Sequence, residues 1–331
     1  MERLRVDEEG LWRMARGFQP SRILLTAVEM GVFAALGNGP KTSLEVATEL
    51  KANERATDRL MNALVALGLL ITEGGFFINS EEVNEYLVPG KPDYMGAALM
   101  HTANMWDSWS TLTDAVKVGT SLLKREGKSR QQWIESFISA MHYNATRRAR
   151  EVVSIIDLTG LYRLLDVGGG SGAYSIAFCR AKPDLEAVVF ELPDVVPLTK
   201  QYIEEAGMIE RIKVVAGDYL EDELGSGFDM AFLSSVIHSN RPKENQELFN
   251  KCWRALSPGG MIAIQDFIMD PNRTTPPHGA IFALNMLVAT PGGDTYTEEE
   301  ITEWLRAASF EEPRRLDPFS GVTAILMSWK Q

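Results

Sequence analysis

The sequence predicts an α/β protein, a mostly parallel sheet wound with helices, preceded by a mainly helical amino-terminal region. Three observations carry this. Leu164-Leu165-Asp166-Val167-Gly168-Gly169-Gly170-Ser171-Gly172 is an apolar strand running into a glycine-rich turn and then a helix. Further strand-and-helix units follow it, each strand ending in polar residues. The first hundred or so residues instead place apolar side chains at helical spacing between turn signals.

In the amino-terminal region, Ser21 to Leu36 reads as one helix that stops at Gly37-Asn38-Gly39-Pro40, and Thr42-Ser43-Leu44-Glu45 reads as a capping box opening the next. Glu54 to Leu69 is a third helix, and Ile71 to Ile78 a hairpin closed on Gly74-Gly75. Three helices and a hairpin make a winged helix, assigned to residues 1–105. Nucleic acid is not its expected partner. Acidic residues outnumber basic ones over that span, the third helix mixes Glu54, Arg55, Asp58 and Arg59, and the whole chain carries a net charge of −12. Leu11, Trp12, Phe18, Ile23, Leu24 and Leu25 give the region an apolar surface that either closes its own core or meets a partner.

A helical stretch from Tyr94 to Leu123 leads into the second domain, residues 106–331, with a polar break at Lys124 to Arg130. Met141 follows on an amphipathic segment, where methionine commonly fills a core. The glycine turn comes next: glycine removes the Cβ, permits positive φ, and leaves the N–H groups of a helix start open to a polar ligand. A helix over Tyr174 to Arg180 separates it from the strand Leu185 to Pro193, which ends in Glu191 and Leu192. An acid at that distance accepts hydrogen bonds from ribose hydroxyls in nucleotide-binding βαβ units. The strand Arg211 to Ala216 ends in Gly217-Asp218-Tyr219, and Asp229 to Leu233 ends in Ser234, Ser235 and His238. Ligands of such Rossmann-like sheets bind outside the carboxyl ends of the strands, so Gly170, Glu191, Asp218 and His238 are expected on one rim. Thr297-Glu298-Glu299-Glu300 caps a helix to Ala308, and Glu312 to Leu316 and Val322 to Ser328 form a closing antiparallel pair.

Composition agrees with a two-domain enzyme. The 331 residues, 45% hydrophobic, suffice for two cores. No apolar run approaches the ~20 residues of a membrane span, and Met1-Glu2-Arg3-Leu4-Arg5 lacks the apolar segment of a signal peptide, so a cytoplasmic protein with no membrane partner is expected. Cys179 and Cys252 fall on helices without metal-ligand spacing and read as packing residues of a reducing compartment.

The turn Asp166-x-Gly168-x-Gly170-x-Gly172 departs from the G-x-G-x-x-G of dinucleotide sites and resembles the signature of class I S-adenosylmethionine (SAM) methyltransferases. Phe190-Glu191-Leu192-Pro193 resembles that family's F-D-L-P, Gly217-Asp218 its G-D, and Ser257-Pro258-Gly259-Gly260 its L-x-P-G-G. Asn285-Met286-Leu287 and Pro291-Gly292-Gly293 resemble the substrate segment of small-molecule O-methyltransferases of the caffeate, hydroxyneurosporene and polyketide-tailoring group. The match spans nearly the whole chain. It implies a seven-stranded sheet, an amino-terminal domain that makes an intertwined homodimer and contributes to the partner's pocket, and SAM as cofactor with S-adenosylhomocysteine (SAH) as product. It further implies a cofactor site of Asp166, Gly168, Gly170, Glu191, Leu192, Gly217, Asp218, Tyr219 and Ser234, with Met141, from Phe137-Ile138-Ser139-Ala140-Met141, touching cofactor and acceptor.

His238 is the expected general base, since a phenol of pKa about 10 holds its proton at neutral pH and a neutral imidazole can take it. The alternative is a histidine capping the helix that begins at Pro242. The sulfonium is already activated, so no metal is expected. Pro276, Phe282, Asn285, Met286 and Val288 read as walls of a pocket for a small aromatic hydroxylated acceptor, or as ordinary core. His142 and His101 are further candidates for that pocket, and His278 sits in a loop after Pro276-Pro277.

The pattern frays around the base. Plant members follow the histidine with Asp or Asn and then Trp, where this chain has Ser239-Asn240-Arg241, and they flank it with two glutamates. Asp266 stands at the first of those positions; Thr295, or Asp294 after a one-residue slip, stands at the second. That leaves room for an acceptor that needs no strong base, such as an already acidic hydroxyl, a nitrogen or an activated ring carbon. The readings that compete with O-methylation are C- or N-methylation on the same scaffold, a relative that has kept the SAM site and lost methyl transfer, a winged-helix regulator that senses SAM without catalysis, and an NAD-dependent oxidoreductase.

Overall fold

The computed structural model describes residues 6–123, 127–318 and 323–331, so the readings of residues 1–5, of 124–126 in the polar break and of Val322 fall outside the described residues. The chain makes two compact units, Met1–Trp106 and Asp107–Gln331.

The first unit opens with α1 (Glu8–Arg16), which the sequence reading did not anticipate; the Asp7 carboxylate caps it, accepting from the Gly10 N–H at 2.8 Å. The single helix expected over Ser21 to Leu36 is instead α2 (Phe18–Met30) and α3 (Val32–Leu36). Gly31, with φ 80°, ends α2 in the left-handed region, where a helix cannot continue. The capping box at Thr42 forms as expected and opens α4 (Ser43–Glu49), and Asn53 caps α5 (Glu54–Ala66). That helix stops short of Leu69 because Gly68 turns the chain with φ 74°. The hairpin pairs β1 (Leu70–Glu73) with β2 (Phe76–Asn79) across Gly74 and Gly75, both at positive φ, as a tight two-residue turn requires. Helix α6 (Glu81–Tyr86) follows. Phe33, Leu36, Val46, Met61, Leu64, Leu70 and Phe77 form the core. The apolar group read from the sequence divides: Leu25 is buried, whereas Leu11, Trp12 and Phe18 are each more than half exposed.

The helical stretch expected over Tyr94 to Leu123 holds two helices, α7 (Gly96–Ser110) and α8 (Leu112–Val118), the latter ended by Gly119 in the left-handed region. In the second unit α9 (Gly127–Ile155) precedes β3 (Arg163–Val167), and α10 (Ala173–Ala181) leads to β4 (Glu186–Glu191). Helix α11 (Val196–Glu205), β5 (Ile212–Ala216), β6 (Phe228–Ser234), α12 (Pro242–Ala255) and β7 (Leu256–Asp266) complete the parallel part. Next come β8 (Ile268–Met269), α13 (Pro277–Ala289), β9 (Tyr296–Thr297), α14 (Glu298–Ala307), β10 (Arg314–Leu316) and β11 (Ala324–Trp329). The sheet has seven strands in the order β10-β11-β7-β6-β3-β4-β5; β11 is antiparallel to both neighbours and β7-β6-β3-β4-β5 are parallel.

Strand β3 is near-continuously apolar because both its faces are covered. Leu165 and Val167 enter a core with Phe249, Ile262, Ile264 and Leu326, and Leu164 enters one with Phe178, Val189, Phe232 and Ile325 on the other face. The strand order reverses between β3 and β6, which opens a crevice at their carboxyl ends. The glycine turn leaves β3 there, and the segment carrying His238 leaves β6 there.

Candidate active site

The glycine turn is built for close approach. Gly168, Gly170 and Gly172 all have φ near +60 to +75°, and the Gly168 N–H donates to the Phe190 carbonyl at 2.8 Å. A Cβ on Gly169 would lie 2.7 Å from the Asp166 carboxyl carbon, so the turn rests directly on that carboxylate. Asp166 is buried, accepts from the Ser175 hydroxyl at 2.6 Å, and has its pKa raised by burial to about 6. The sequence-predicted cofactor residue Asp166 is thus placed beneath the turn, supporting it. Thr199, on α11, donates to the Gly170 carbonyl at 2.6 Å and pins the other side. Only an unremarkable helical position marked Thr199 in the sequence.

Glu191, at the end of β4, faces the turn. Its carboxylate accepts from the Gly170 N–H at 2.7 Å and the Leu192 N–H at 2.8 Å, while burial pushes its pKa up. Gly217 follows β5; a Cβ there would sit 2.3 Å from the Phe190 ring. Asp218 accepts from the Leu220 N–H at 2.9 Å, closing a turn that presents Tyr219. The Tyr219 ring lies against Gly168, and its hydroxyl donates to Asn240 at 3.1 Å. Glu191, Asp218, Tyr219 and the glycines therefore line one rim, as the strand ends predicted. Ser234 is turned to a neighbour on the sheet, its hydroxyl donating to the Gln265 side chain at 3.1 Å. Met141 is half-buried on α9.

His142, the next residue on α9, is held at the glycine turn: its Nδ1 lies 2.9 Å from the Ser171 hydroxyl and its ring stacks on Tyr202 with centroids 4.0 Å apart. Burial lowers its pKa. His278 is exposed in the first turn of α13 rather than in a loop, and His101 is half-buried on α7.

His238 lies in a 3-10 turn, Ile237–Ser239, just beyond β6, and is buried. Its Nδ1 donates to the Asp266 carboxylate at 2.8 Å. Asp266 ends β7 and also accepts from the Phe267 N–H at 2.8 Å. Because the ring's Nδ1 is engaged, Nε2 is the nitrogen left to exchange a proton. Among the described residues neither candidate for the second acid bonds to the ring. Asp294 touches this turn through its backbone, its N–H donating to the His238 carbonyl at 2.9 Å, while its carboxylate accepts from Thr295 N–H at 2.8 Å and lies 3.7 Å from Arg273. Thr295 is buried and reaches the Gly279 carbonyl at 3.4 Å.

Phe282, on α13, meets the imidazole edge-on, with centroids 4.8 Å apart at 84°, and stacks on Phe267 at 4.1 Å. Asn285, one turn further along α13, accepts from the Trp109 indole N–H at 3.1 Å. Phe267 and Trp109 escaped the sequence reading; the position of Phe267 directly after Asp266 was the available signal. Met286 and Val288 are buried in packing.

With this geometry in place, comparison with known proteins is direct. Residues 109–311 match the family model of the O-methyltransferase domain, and residues 12–88 that of the O-methyltransferase dimerisation domain. The chain is 35% identical to a 3-hydroxy-5-methyl-1-naphthoate 3-O-methyltransferase of Streptomyces sahachiroi over 91% of this chain and 89% of that one. It is 29% identical to an L-tyrosine C(3)-methyltransferase of Streptomyces lavendulae, covering 96% and 91% of the two chains. The crystal structure of human N-acetylserotonin methyltransferase in complex with SAM superposes with a TM-score of 0.86 at 26% identity, over 98% of each chain. The chain belongs to the SAM-dependent O-methyltransferase family and carries both that family's methyltransferase domain and its dimerisation domain.

Proposed function

We propose that this enzyme methylates a hydroxyl of a small aromatic metabolite, with His238 as general base. The observation that carries the reading is the His238–Asp266 pair. The carboxylate fixes the tautomer that leaves Nε2 free of its proton, and stabilises the imidazolium formed when Nε2 takes one. Beside the ring, Phe282 and Phe267 offer an apolar wall suited to a flat acceptor. The naphthoate relative supports that acceptor class.

The residues at the glycine turn fit SAM. Three positive-φ glycines leave backbone bare, and Glu191 and Asp218 stand at the ends of adjacent strands where ribose and amino groups would find acceptors. SAM, when bound, supplies a methyl group on an activated sulfonium. The protein's share is to align the acceptor oxygen, exclude water and remove one proton. That chemistry asks for no metal. The dimerisation domain and the exposed Leu11, Trp12 and Phe18 support a homodimer.

The test is incubation with methyl-labelled SAM and a panel of hydroxynaphthoates, phenols, anilines and unsubstituted electron-rich rings, with the product resolved by mass spectrometry and NMR. An O-methyl ether formed by the wild type and lost in His238→Gln is the expected result. A C-methyl or N-methyl product, or undiminished turnover by His238→Gln, would refute the reading as stated.

A further inference from the structure

Between the cofactor rim and the catalytic turn runs a buried polar chain. The Tyr219 hydroxyl donates to the Asn240 carbonyl oxygen at 3.1 Å, the Asn240 amide donates to the Asn245 carbonyl oxygen at 3.0 Å, and the Asn245 amide donates to the Ile237 main-chain carbonyl at 2.9 Å. All three bonds run in one direction and end on the residue before His238. Asn240 and Asn245 are 2% and 0% exposed, so each lost partner would strand a polar group away from water.

Both ends are anchored. At the cofactor end the Tyr219 ring lies against Gly168, and Lys251, itself buried, donates to the Tyr219 and Leu220 carbonyls at 2.9 and 2.7 Å. At the catalytic end the Tyr296 hydroxyl donates to the Asn240 carbonyl of the main chain, and the Asp294 N–H donates to that of His238. A helix cap does not need this. Helix α12 has its own N-terminal bond, the Glu244 carboxylate accepting from the Arg241 main-chain N–H at 2.6 Å. The Asn240 and Asn245 side chains are therefore spent on the turn that carries His238 and on its link to Tyr219.

The geometry points to Tyr219 as a positioning residue for His238: through Asn240 and Asn245 it ties the rim where cofactor would lie to the turn that holds the base. The inference rests on the reading of His238 as general base and the glycine turn as the cofactor site. It adds a role for Tyr219 beyond lining that site, and roles for Asn240, Asn245 and Lys251, which the sequence did not mark. The coupling is short-range and needs no domain motion. Anything that shifts Tyr219 against Gly168 moves a hydrogen-bonded partner of the catalytic turn.

The test uses SAH as probe and reads the imidazole 15N–1H resonances of the full-length protein. The chain has four histidines, and His238→Gln identifies the signal wanted. Calorimetry fixes SAH occupancy, and thermal melting checks the fold of each variant. In the wild type, SAH is expected to displace the His238 resonances. In Tyr219→Phe, which keeps the ring against Gly168 and removes only the hydroxyl, SAH is expected to bind within about threefold of wild type while that displacement falls by at least half. Asn240→Ser is expected to do the same and decides the matter if Tyr219→Phe does not fold. An undiminished displacement in a folded, SAH-saturated variant overturns the positioning role and leaves the methyltransferase reading standing. Loss of SAH binding in Tyr219→Phe also overturns it, making Tyr219 a cofactor ligand only. Failure of the wild type to bind SAH overturns both.

Discussion

His238 Nδ1 and the Asp266 carboxylate are 2.8 Å apart, and both side chains are buried at the carboxyl ends of adjacent strands. A carboxylate in that position holds the ring in one tautomer. It stands where the resemblance to the plant pattern puts the first of two flanking glutamates. Among the described residues no second carboxylate bonds to the ring.

Removing the proposed base is expected to lower kcat roughly 10²- to 10⁴-fold, the usual worth of a positioned general base. His238→Gln should therefore lose methyl transfer while binding SAH as the wild type does. Asp266→Asn keeps the shape but weakens the orientation, and a loss of roughly 10- to 100-fold is expected. Steady-state kinetics beside SAH calorimetry separates the two effects. A His238→Gln variant whose defect lies in SAH affinity would mean that the residue belongs to the cofactor site.

Asp166 makes a prediction about pH. Its folded pKa is raised to about 6 by burial, whereas the unfolded chain ionises it near 4. Between those values the folded state binds more protons than the unfolded one. Stability due to this group is therefore full below about pH 4 and is lost as pH rises through 6, by at most about 3 kcal/mol. Asp166→Asn carries no charge at either end. Melting temperatures of wild type and variant at pH 4.5 and 7.5 should show the difference moving in the variant's favour at the higher pH; an equal difference at both would contradict the account.

How much of this was legible in the sequence depends on the kind of signal. The apolar strands, the Thr42 and Thr297 capping boxes and the Gly74-Gly75 turn are local, and each appears where expected. Gly31 was misread because helical periodicity continues past it: Val32, Phe33 and Leu36 sit at spacings that fit one helix, and only the left-handed φ separates two. Glu191, Asp218 and His238 stand at one edge of the sheet, as expected, because strand ends in a parallel sheet converge by topology. Thr199 and Lys251 were missed because their side chains bond backbone carbonyls distant in sequence, which no local spacing reveals. Ser234 sits where predicted, yet its hydroxyl bonds Gln265 across the register pair.

The glycine turn separates two kinds of cost. At Gly169 the obstacle is steric, since a methyl group would meet the buried Asp166 carboxylate at 2.7 Å. At Gly170 space is open, with the nearest atom 3.9 Å away, and the obstacle is φ +57°. Gly170→Ala is thus expected to cost about 1–2 kcal/mol of stability from backbone strain. Gly169→Ala should cost more and weaken SAH binding at least tenfold by displacing the turn. Chemical denaturation and SAH titration of both variants check this, and a Gly169→Ala protein that binds SAH normally would show that the turn can yield.

Phe282 tests the acceptor side without touching the cofactor rim. Its ring stacks on Phe267 at 4.1 Å and meets His238 edge-on at 4.8 Å, so it borders the proposed base and can face a planar acceptor. An aromatic pair contributes about 0.5–1.5 kcal/mol beyond area burial, which corresponds to roughly 2- to 13-fold in affinity. Phe282→Leu keeps most of the apolar volume and loses the π face. It is expected to raise the KM of an aromatic hydroxyl acceptor by that factor, with SAH affinity unchanged and a smaller effect on an aliphatic alcohol acceptor. Equal effects on both acceptor types would place Phe282 in packing behind His238, and a change confined to kcat would make its edge contact with the imidazole the part that matters.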